Sequence, residues 1–221
     1  MSLSIIVLAA GKGSRMCSPK PKVFHEVGNY PMLFHVLDTA VSFKDCNINL
    51  VFSEELKKYK RLIKDRYKKI EFSIQVEQNG TADAVKTAIK FSKINSTISL
   101  VMYGDIPLVS KQTLKNAMEK FDSNNLDLCV ISMKPEDKMN SYGKLKFREN
   151  KLIEIVEQGE IDPKENDIDI CNSGIMVFKT NRLIENLKLI KNHNKKKEFY
   201  LTDLVKIFSD KQLNVDHFLC D

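Results

Sequence analysis

The sequence predicts an α/β fold: a Rossmann-like, mostly parallel sheet with helices on both faces and a smaller, partly antiparallel lobe. Strand-length apolar runs alternate with amphipathic runs of helical period through the first half of the chain. The first of these, Leu3–Leu8, breaks directly into the small-residue loop Ala9-Ala10-Gly11-Lys12-Gly13. The second half changes character, with short strand-like runs and little helix between them. A chain of 221 residues is long enough for one α/β domain with a sizeable core. No linker composition or internal repeat interrupts it. One domain is therefore expected, with a first lobe over about residues 1–110 and a second over about residues 111–221.

The elements follow in order. Residues 31–43 read as a helix, with Pro31 in the first turn and Leu33, Val36, Leu37, Ala40 and Val41 on one face. Residues 48–52 read as a strand, 54–67 as one charged helix and 70–76 as another strand. Helical spacing resumes over Thr81–Phe91 through Ala84, Val85, Ala88 and Ile89, and Ile98–Tyr103 is a short apolar strand. In the second half, residues 126–133, 143–147, 151–156 and 175–178 are strand-like, with a tight turn at Glu149-Asn150. Helices are expected near residues 182–189 and 199–208, with a loop at 192–197 between them.

Composition excludes several function classes. The net charge of +6 comes from dispersed lysines, without interleaved aromatics or a nucleic-acid module, so a nucleic-acid partner is not expected. Cys17, Cys46, Cys129, Cys171 and Cys220 are scattered, with no CxxC pair and no histidine at metal-ligand spacing. They read as reduced thiols rather than a zinc site. The first apolar run lacks the preceding basic region of a signal peptide, and no apolar run approaches the length of a membrane span. A soluble, cytoplasmic protein with no membrane partner is expected.

The chemistry begins at the loop after the first strand. Consecutive backbone N–H groups there can face an anion, and Arg15 and Lys22 add positive charge, which suits a nucleotide phosphate. Lys12 is followed by Gly13, so the P-loop pattern fails; Met16 stands where a dinucleotide fingerprint needs its third glycine. The remaining pattern, Gly11 and Gly13 followed by Arg15-Met16 and then Pro21-Lys22, resembles the signature of the sugar-phosphate nucleotidyltransferases.

Later segments follow in the order that resemblance requires. Gln75 to Ala82 ends a strand and opens a helix, and its amides and glycine suit the edge of a base; Thr81 also suits an ordinary helix start. Tyr103-Gly104-Asp105 places a carboxylate at a strand's carboxyl end, a position for a Mg²⁺ ligand, though Gly-Asp before Ile106-Pro107 also suits a plain turn. Gly143, Glu157, Asn172 with Ser173-Gly174, and Tyr200 with Thr202 offer a close backbone approach, a carboxylate, an amide and hydroxyls.

Together these residues make the resemblance to the N-acetylglucosamine-1-phosphate uridylyltransferases close over nearly the whole chain. The resemblance implies Mg²⁺-dependent transfer from UTP to N-acetylglucosamine 1-phosphate, releasing pyrophosphate. Leu8, Ala9, Ala10, Gly11, Gly13, Gln75, Gln78, Gly80 and Thr81 would then meet the nucleotide. Arg15 and Lys22 would be the catalytic cations, and Asp105 the metal ligand. Tyr103, Gly104, Gly143, Glu157, Asn172, Tyr200 and Thr202 would line the sugar-phosphate side.

Ser14 and Ser173 stand where relatives often carry Thr, and no hexapeptide repeat of a left-handed β-helix is present. In such enzymes an Asn joins the metal-binding Asp; its counterpart would fall about ten residues beyond Asp221, a spacing as loose as loop lengths allow. Other sugar or alcohol phosphates, a cytidylyltransferase, and a non-catalytic nucleotide-sugar-binding protein remain open.

Overall fold

The first strand shows no hydrophobic alternation because both of its faces are covered. A computed structural model of the chain describes residues 2–13, 16–92, 94–137, 140–161 and 168–220. In β1 (Leu3–Leu8), Ile5 and Val7 enter one core while Ile6 and Leu8 enter the other. A continuous apolar run is what a central parallel strand requires.

The other strands are β2 (Glu26–Val27), β3 (Tyr30–Pro31), β4 (Cys46–Ser53), β5 (Ile70–Gln75), β6 (Ile98–Tyr103), β7 (Leu128–Met133), β8 (Lys144–Arg148), β9 (Lys151–Val156), β10 (Cys171–Lys179) and β11 (Val215–Leu219). Among the described residues a nine-stranded sheet has the order β11-β7-β10-β6-β1-β4-β5, with β8 joined to β10 and β9 joined to β8. Pairing along the main path is parallel except at β10, which runs antiparallel to both β6 and β7. The helices are α1 (Met32–Val41), α2 (Lys60–Arg66), α3 (Thr81–Phe91), α4 (Lys111–Ser123), α5 (Thr180–Leu187) and α6 (Asp203–Asp210).

They cover both faces, as the sequence predicts. Leu33 and Leu37 of α1, Ile63 of α2 and Leu114 and Phe121 of α4 pack on one face. Val85 and Ala88 of α3, Leu183 of α5 and Leu204 and Phe208 of α6 pack on the other. Among the described residues no helix is long and apolar enough to cross a membrane. The turn at Glu149-Asn150 is borne out: both residues have positive φ, 49° and 62°, the twist that lets a two-residue loop join β8 to β9.

Several elements differ from the sequence reading. The helix expected over 54–67 splits into a 3₁₀ turn, Glu54–Tyr59, and α2, whose buried anchors are Leu56 and Ile63 respectively. The expected helix 199–208 begins only at Asp203, because the backbone of Phe199 and Leu201 is engaged elsewhere. Helix α4 was not anticipated, although Ser110 caps it by accepting from the Thr113 N–H at 3.0 Å. The strand expected at 175–178 is the end of the longer β10, which carries an irregularity between Asn172 and Ile175.

Strand β11 also lies outside the sequence reading, and its polar residues find partners on neighbouring elements. Lys120 Nζ meets Asp216 Oδ2 at 2.7 Å, and His217 Nδ1 lies 2.7 Å from Ser132 Oγ. Burial pushes the His217 imidazole down, favouring its neutral form inside the sheet.

The direction of β10 decides where function can lie. The carboxyl ends of β1, β4, β5 and β6 share one edge of the sheet because these strands are parallel. Running the other way, β10 brings its amino-terminal residues Cys171 and Asn172 to that same edge, opposite Met133 and Ser132 of β7. Cys171 also pairs with Lys144, which pairs with Val156, so the start of β8 and the end of β9 arrive there too. Among the described residues, the strand ends that lead into the segments around Leu8, Gln75, Tyr103, Gly143, Glu157 and Asn172 therefore converge on one rim, where ligands of open α/β sheets bind.

Candidate active site

On the loop after β1, the Ala9 N–H donates to Val51 C=O at 2.7 Å, so that amide is already committed. An anion cradle must therefore be built from the residues that follow it. A Cβ on Gly11 would meet nothing within 4 Å, so packing does not demand this glycine. Gly13 is different: it sits at φ +60°, and a Cβ there would lie 2.7 Å from Lys22 Cβ. The loop thus folds directly onto the stem of Lys22. Ser14 and Arg15 lie outside the described residues.

Lys22 Nζ meets Asp105 Oδ2 at 2.5 Å. The predicted phosphate cation and metal ligand, far apart in sequence, come together just past the ends of β1 and β6. Gly104 locks this junction, donating its N–H to Leu8 C=O at 2.8 Å. A Cβ there would press to 3.1 Å from Ala9 Cβ. Asp105 is a hard oxygen donor, and a single carboxylate suits Mg²⁺, which takes one or two protein carboxylates and completes its shell with water and phosphate oxygens. Among the described residues no group of three or more His, Cys, Asp or Glu gathers elsewhere as a metal site.

The segment from Gln75 to Thr81 is held from within. Gln75 is buried, and its Nε2 donates to Gly80 C=O at 3.1 Å and to Asp83 Oδ2 at 2.7 Å. That amide shapes the loop. Gln78 contrasts with it: its Oε1 is enclosed and has no hydrogen-bond partner among the described residues. Gly80, rather than Thr81, is the N-cap of α3, at φ 111° and ψ 178°. Thr81 Oγ1 accepts from the Leu201 N–H at 2.9 Å.

On the opposite wall, Gly143 C=O accepts from Asn172 N–H at 2.8 Å. Asn172 Oδ1 in turn accepts from Gly174 N–H at 3.0 Å, bending β10 at its irregularity. Gly174 has φ +88°, and a Cβ there would lie 2.6 Å from the Tyr103 ring. Thr202 Oγ1 donates to Glu157 Oε1 at 2.8 Å. Burial first, then Glu157, raises the Tyr103 phenol, with Thr81 pulling the other way. Tyr200 is pushed up to about 12 by burial and by Glu198, Glu157, Glu160 and Asp203. A cavity of about 540 Å³ extends behind Glu157 and Tyr200 toward Asp203, Lys206 and His193.

The role of Asp203 was not anticipated. Burial, followed by Glu157 and Glu154, raises its carboxyl to about 6, with Lys206 partly opposing. Because the folded chain holds this proton more tightly than the unfolded chain, the stabilisation is complete below the unfolded value of 3.8 and is lost as pH rises through about 6. Asp203→Asn is expected to leave stability at pH 4 unchanged and to raise it at pH 7.5 by about 1–2 kcal/mol, less than the full shift would give at 1.36 kcal/mol per unit. Urea melts of both proteins at the two pH values check this, and equal gains at both would contradict it.

Gln78, Lys22, Asp105, Glu157 and Asn172 are thus brought to one rim, while Gln75 and the Thr81 hydroxyl are engaged by the protein itself. Sequence reasoning passed over the backbone of Phe199. Its N–H donates to Asn79 C=O at 2.7 Å, and its C=O accepts from Ala82 N–H at 2.9 Å. Only the glycine at position 80 hinted at so close an approach.

Residues 4–221 match the model of the family described as nucleotidyl transferase. The chain is 36% identical over 216 residues to the bifunctional protein GlmU of Alcanivorax borkumensis, covering 97% of this chain and 46% of that protein. It is 37% identical over 219 residues to the bifunctional protein GlmU of Campylobacter lari, covering 98% of this chain and 48% of that protein. The chain spans about half the length of these curated relatives. Among solved structures, a UDP-glucose pyrophosphorylase complexed with UDP-glucose superposes with a TM-score of 0.75 at 16% identity, over 99% of this chain and 91% of that one. A putative glucose-1-phosphate thymidylyltransferase from Bacillus anthracis gives 0.74 at 19% identity, over 99% and 87%. These structural likenesses bear on the fold, which is common to all three. With a match running from the first strand to the last residue, and the predicted loop, base and carboxylate segments meeting on one rim, the chain belongs to the nucleotidyl transferase family.

Proposed function

We propose that the chain transfers a uridylyl group from UTP to N-acetylglucosamine 1-phosphate, releasing pyrophosphate. The observation that carries this reading is the Lys22–Asp105 pair at 2.5 Å, a cation and a carboxylate held together at the carboxyl ends of β1 and β6. A reaction between two phosphates gains from a cation that offsets their charge and from a carboxylate that can hold a metal beside it. The sugar phosphate is already an oxyanion near neutral pH, so no general base is required to create the nucleophile. The obstacle is its approach to an α-phosphate of the same sign.

Lys22 answers that obstacle by placing positive charge beside the reacting phosphate, where it counts most as negative charge accumulates on the α-phosphate oxygens. Gly13 and Gly104 hold the loop close enough for Lys22 to reach. Glu157, Asn172 and Tyr200 orient the sugar so that its phosphate attacks in line with the departing pyrophosphate. Mg²⁺, held by Asp105 together with the nucleotide's phosphates, would supply further charge neutralisation.

For the base, Gln78 supplies an amide whose oxygen has no hydrogen-bond partner among the described residues. Uracil offers a ring N–H beside a carbonyl, the pair that an amide oxygen and its NH₂ can meet together. Asn172 is held through its oxygen, leaving the NH₂ to meet a carbonyl such as that of an acetamido group. Gln78→Ala is expected to reduce the preference for UTP over CTP about tenfold or more, because discrimination by buried hydrogen bonds is where selectivity is large. Initial rates with the two nucleotides check it; an unchanged ratio would place base recognition elsewhere.

The function itself is tested by pyrophosphate release across a panel of sugar 1-phosphates with each of the four nucleoside triphosphates, with and without Mg²⁺. The expected best pair is UTP with N-acetylglucosamine 1-phosphate, with activity abolished by chelation. Greater turnover with CTP or with glucose 1-phosphate would reassign the substrates. Nucleotide binding without turnover on any pair would make the protein a binder.

A further inference from the structure

The resemblance places Thr81 on the nucleotide side, yet its hydroxyl is engaged on the other wall. Thr81 Oγ1 accepts from the Leu201 N–H at 2.9 Å. Backbone bonds reinforce the link. Phe199 is pinned between Asn79 C=O and Ala82 N–H, at 2.7 and 2.9 Å. Gly80 must be a glycine because a Cβ would lie 2.5 Å from Phe199 O. The next residue after Leu201 is Thr202, which is buried and donates to Glu157 at 2.8 Å.

We infer that Thr81 is a positioning residue for the sugar-phosphate half of the site: its hydroxyl acts through Leu201 on Tyr200, Thr202 and Glu157. This rests on the substrate pair proposed above. Removing the hydroxyl leaves the Leu201 amide without its acceptor and loosens the segment that carries Tyr200 and Thr202. The nucleotide-side backbone, still held by Phe199 and by Gln75, keeps its shape.

The test is two-substrate kinetics on Thr81→Val, which keeps the side-chain volume, and on Thr81→Ser, which keeps the hydroxyl. Thr81→Val is expected to raise the KM for N-acetylglucosamine 1-phosphate about tenfold, the scale of one buried donor left unpaired, with the KM for UTP within about twofold. Thr81→Ser should return the sugar-phosphate KM to near the parent value. A rise confined to the UTP KM, or an equal rise in both, would overturn the inference. If the unsubstituted chain shows no turnover with this pair, the functional reading has failed instead. Amide hydrogen exchange then decides the link itself: faster exchange at residues 199–202 in Thr81→Val supports it, and unchanged exchange overturns it.

Discussion

Replacing Lys22 by alanine is expected to lower kcat about 10²-fold or more while leaving the KM for UTP within a few-fold. An interaction that strengthens only as charge builds up on the α-phosphate appears in turnover rather than in ground-state binding. The magnitude follows from removal of one fixed electrostatic group at a reacting centre. The fold should tolerate the change. The Lys22 and Asp105 side chains are 37% and 23% exposed, and a pair so placed contributes about 1 kcal/mol at most to stability. The melting temperature should therefore stay within about 4 °C of the parent's, which separates a catalytic loss from an unfolded protein. Pyrophosphate release at saturating substrates is the measurement. An unchanged kcat would remove Lys22 from the reaction.

The largest structural effect is expected at Gly80. Its φ of 111° with ψ of 178° lies in a region that is essentially restricted to glycine, which costs another residue about 1–3 kcal/mol. A Cβ would also meet Phe199 O at 2.5 Å and Phe199 N at 2.7 Å. Phe199 cannot retreat without surrendering its bonds to Asn79 and Ala82. Gly80→Ala is therefore expected to destabilise the chain by about 3 kcal/mol or more, which at this size lowers the melting temperature by about 6–12 °C. It should also reduce kcat/KM for both substrates, because the residue sits where the two walls join. A melting temperature within 2 °C of the parent's would show that the loop is looser than this geometry requires.

Much of the candidate site is legible in the chain because its signals are local. An apolar strand ending in Ala-Ala-Gly, a glycine within a polar segment before a helix, and an aspartate after an apolar strand each carry meaning within a few residues. Gly13 and Gly80 prove to be positions where φ and close packing exclude a Cβ, and at Gly104 a Cβ would crowd Ala9 at 3.1 Å. The helix over Lys111–Ser123 was legible too: Ser110 is a capping residue, and Leu114, Ala117 and Phe121 recur at helical spacing. A reading of the second half as strand-rich passes over that signal.

Other features could not be read this way. Gln75 and Gln78 are the same residue type three positions apart, and nothing local marks Gln75 for Gly80 and Asp83 while Gln78 keeps an enclosed, unpaired oxygen. Likewise, nothing near Val215 announces a strand, because β11 owes its existence to pairing with β7 and to Lys120 and Ser132, which accommodate its polar residues.

By itself the sequence determined the α/β class, the glycine-containing loop that follows the first strand and the order of the segments that form the rim, since hydrophobic period, glycine conformation and charge are properties of neighbouring residues. The tertiary structure alone decided that β10 runs antiparallel, that Asn172 thereby reaches the rim, and that the Thr81 hydroxyl serves Leu201, 120 residues away. A hydrogen bond satisfies whichever partner the folded chain delivers. Which polar atoms remain for a ligand is therefore settled only once every internal partner has been placed.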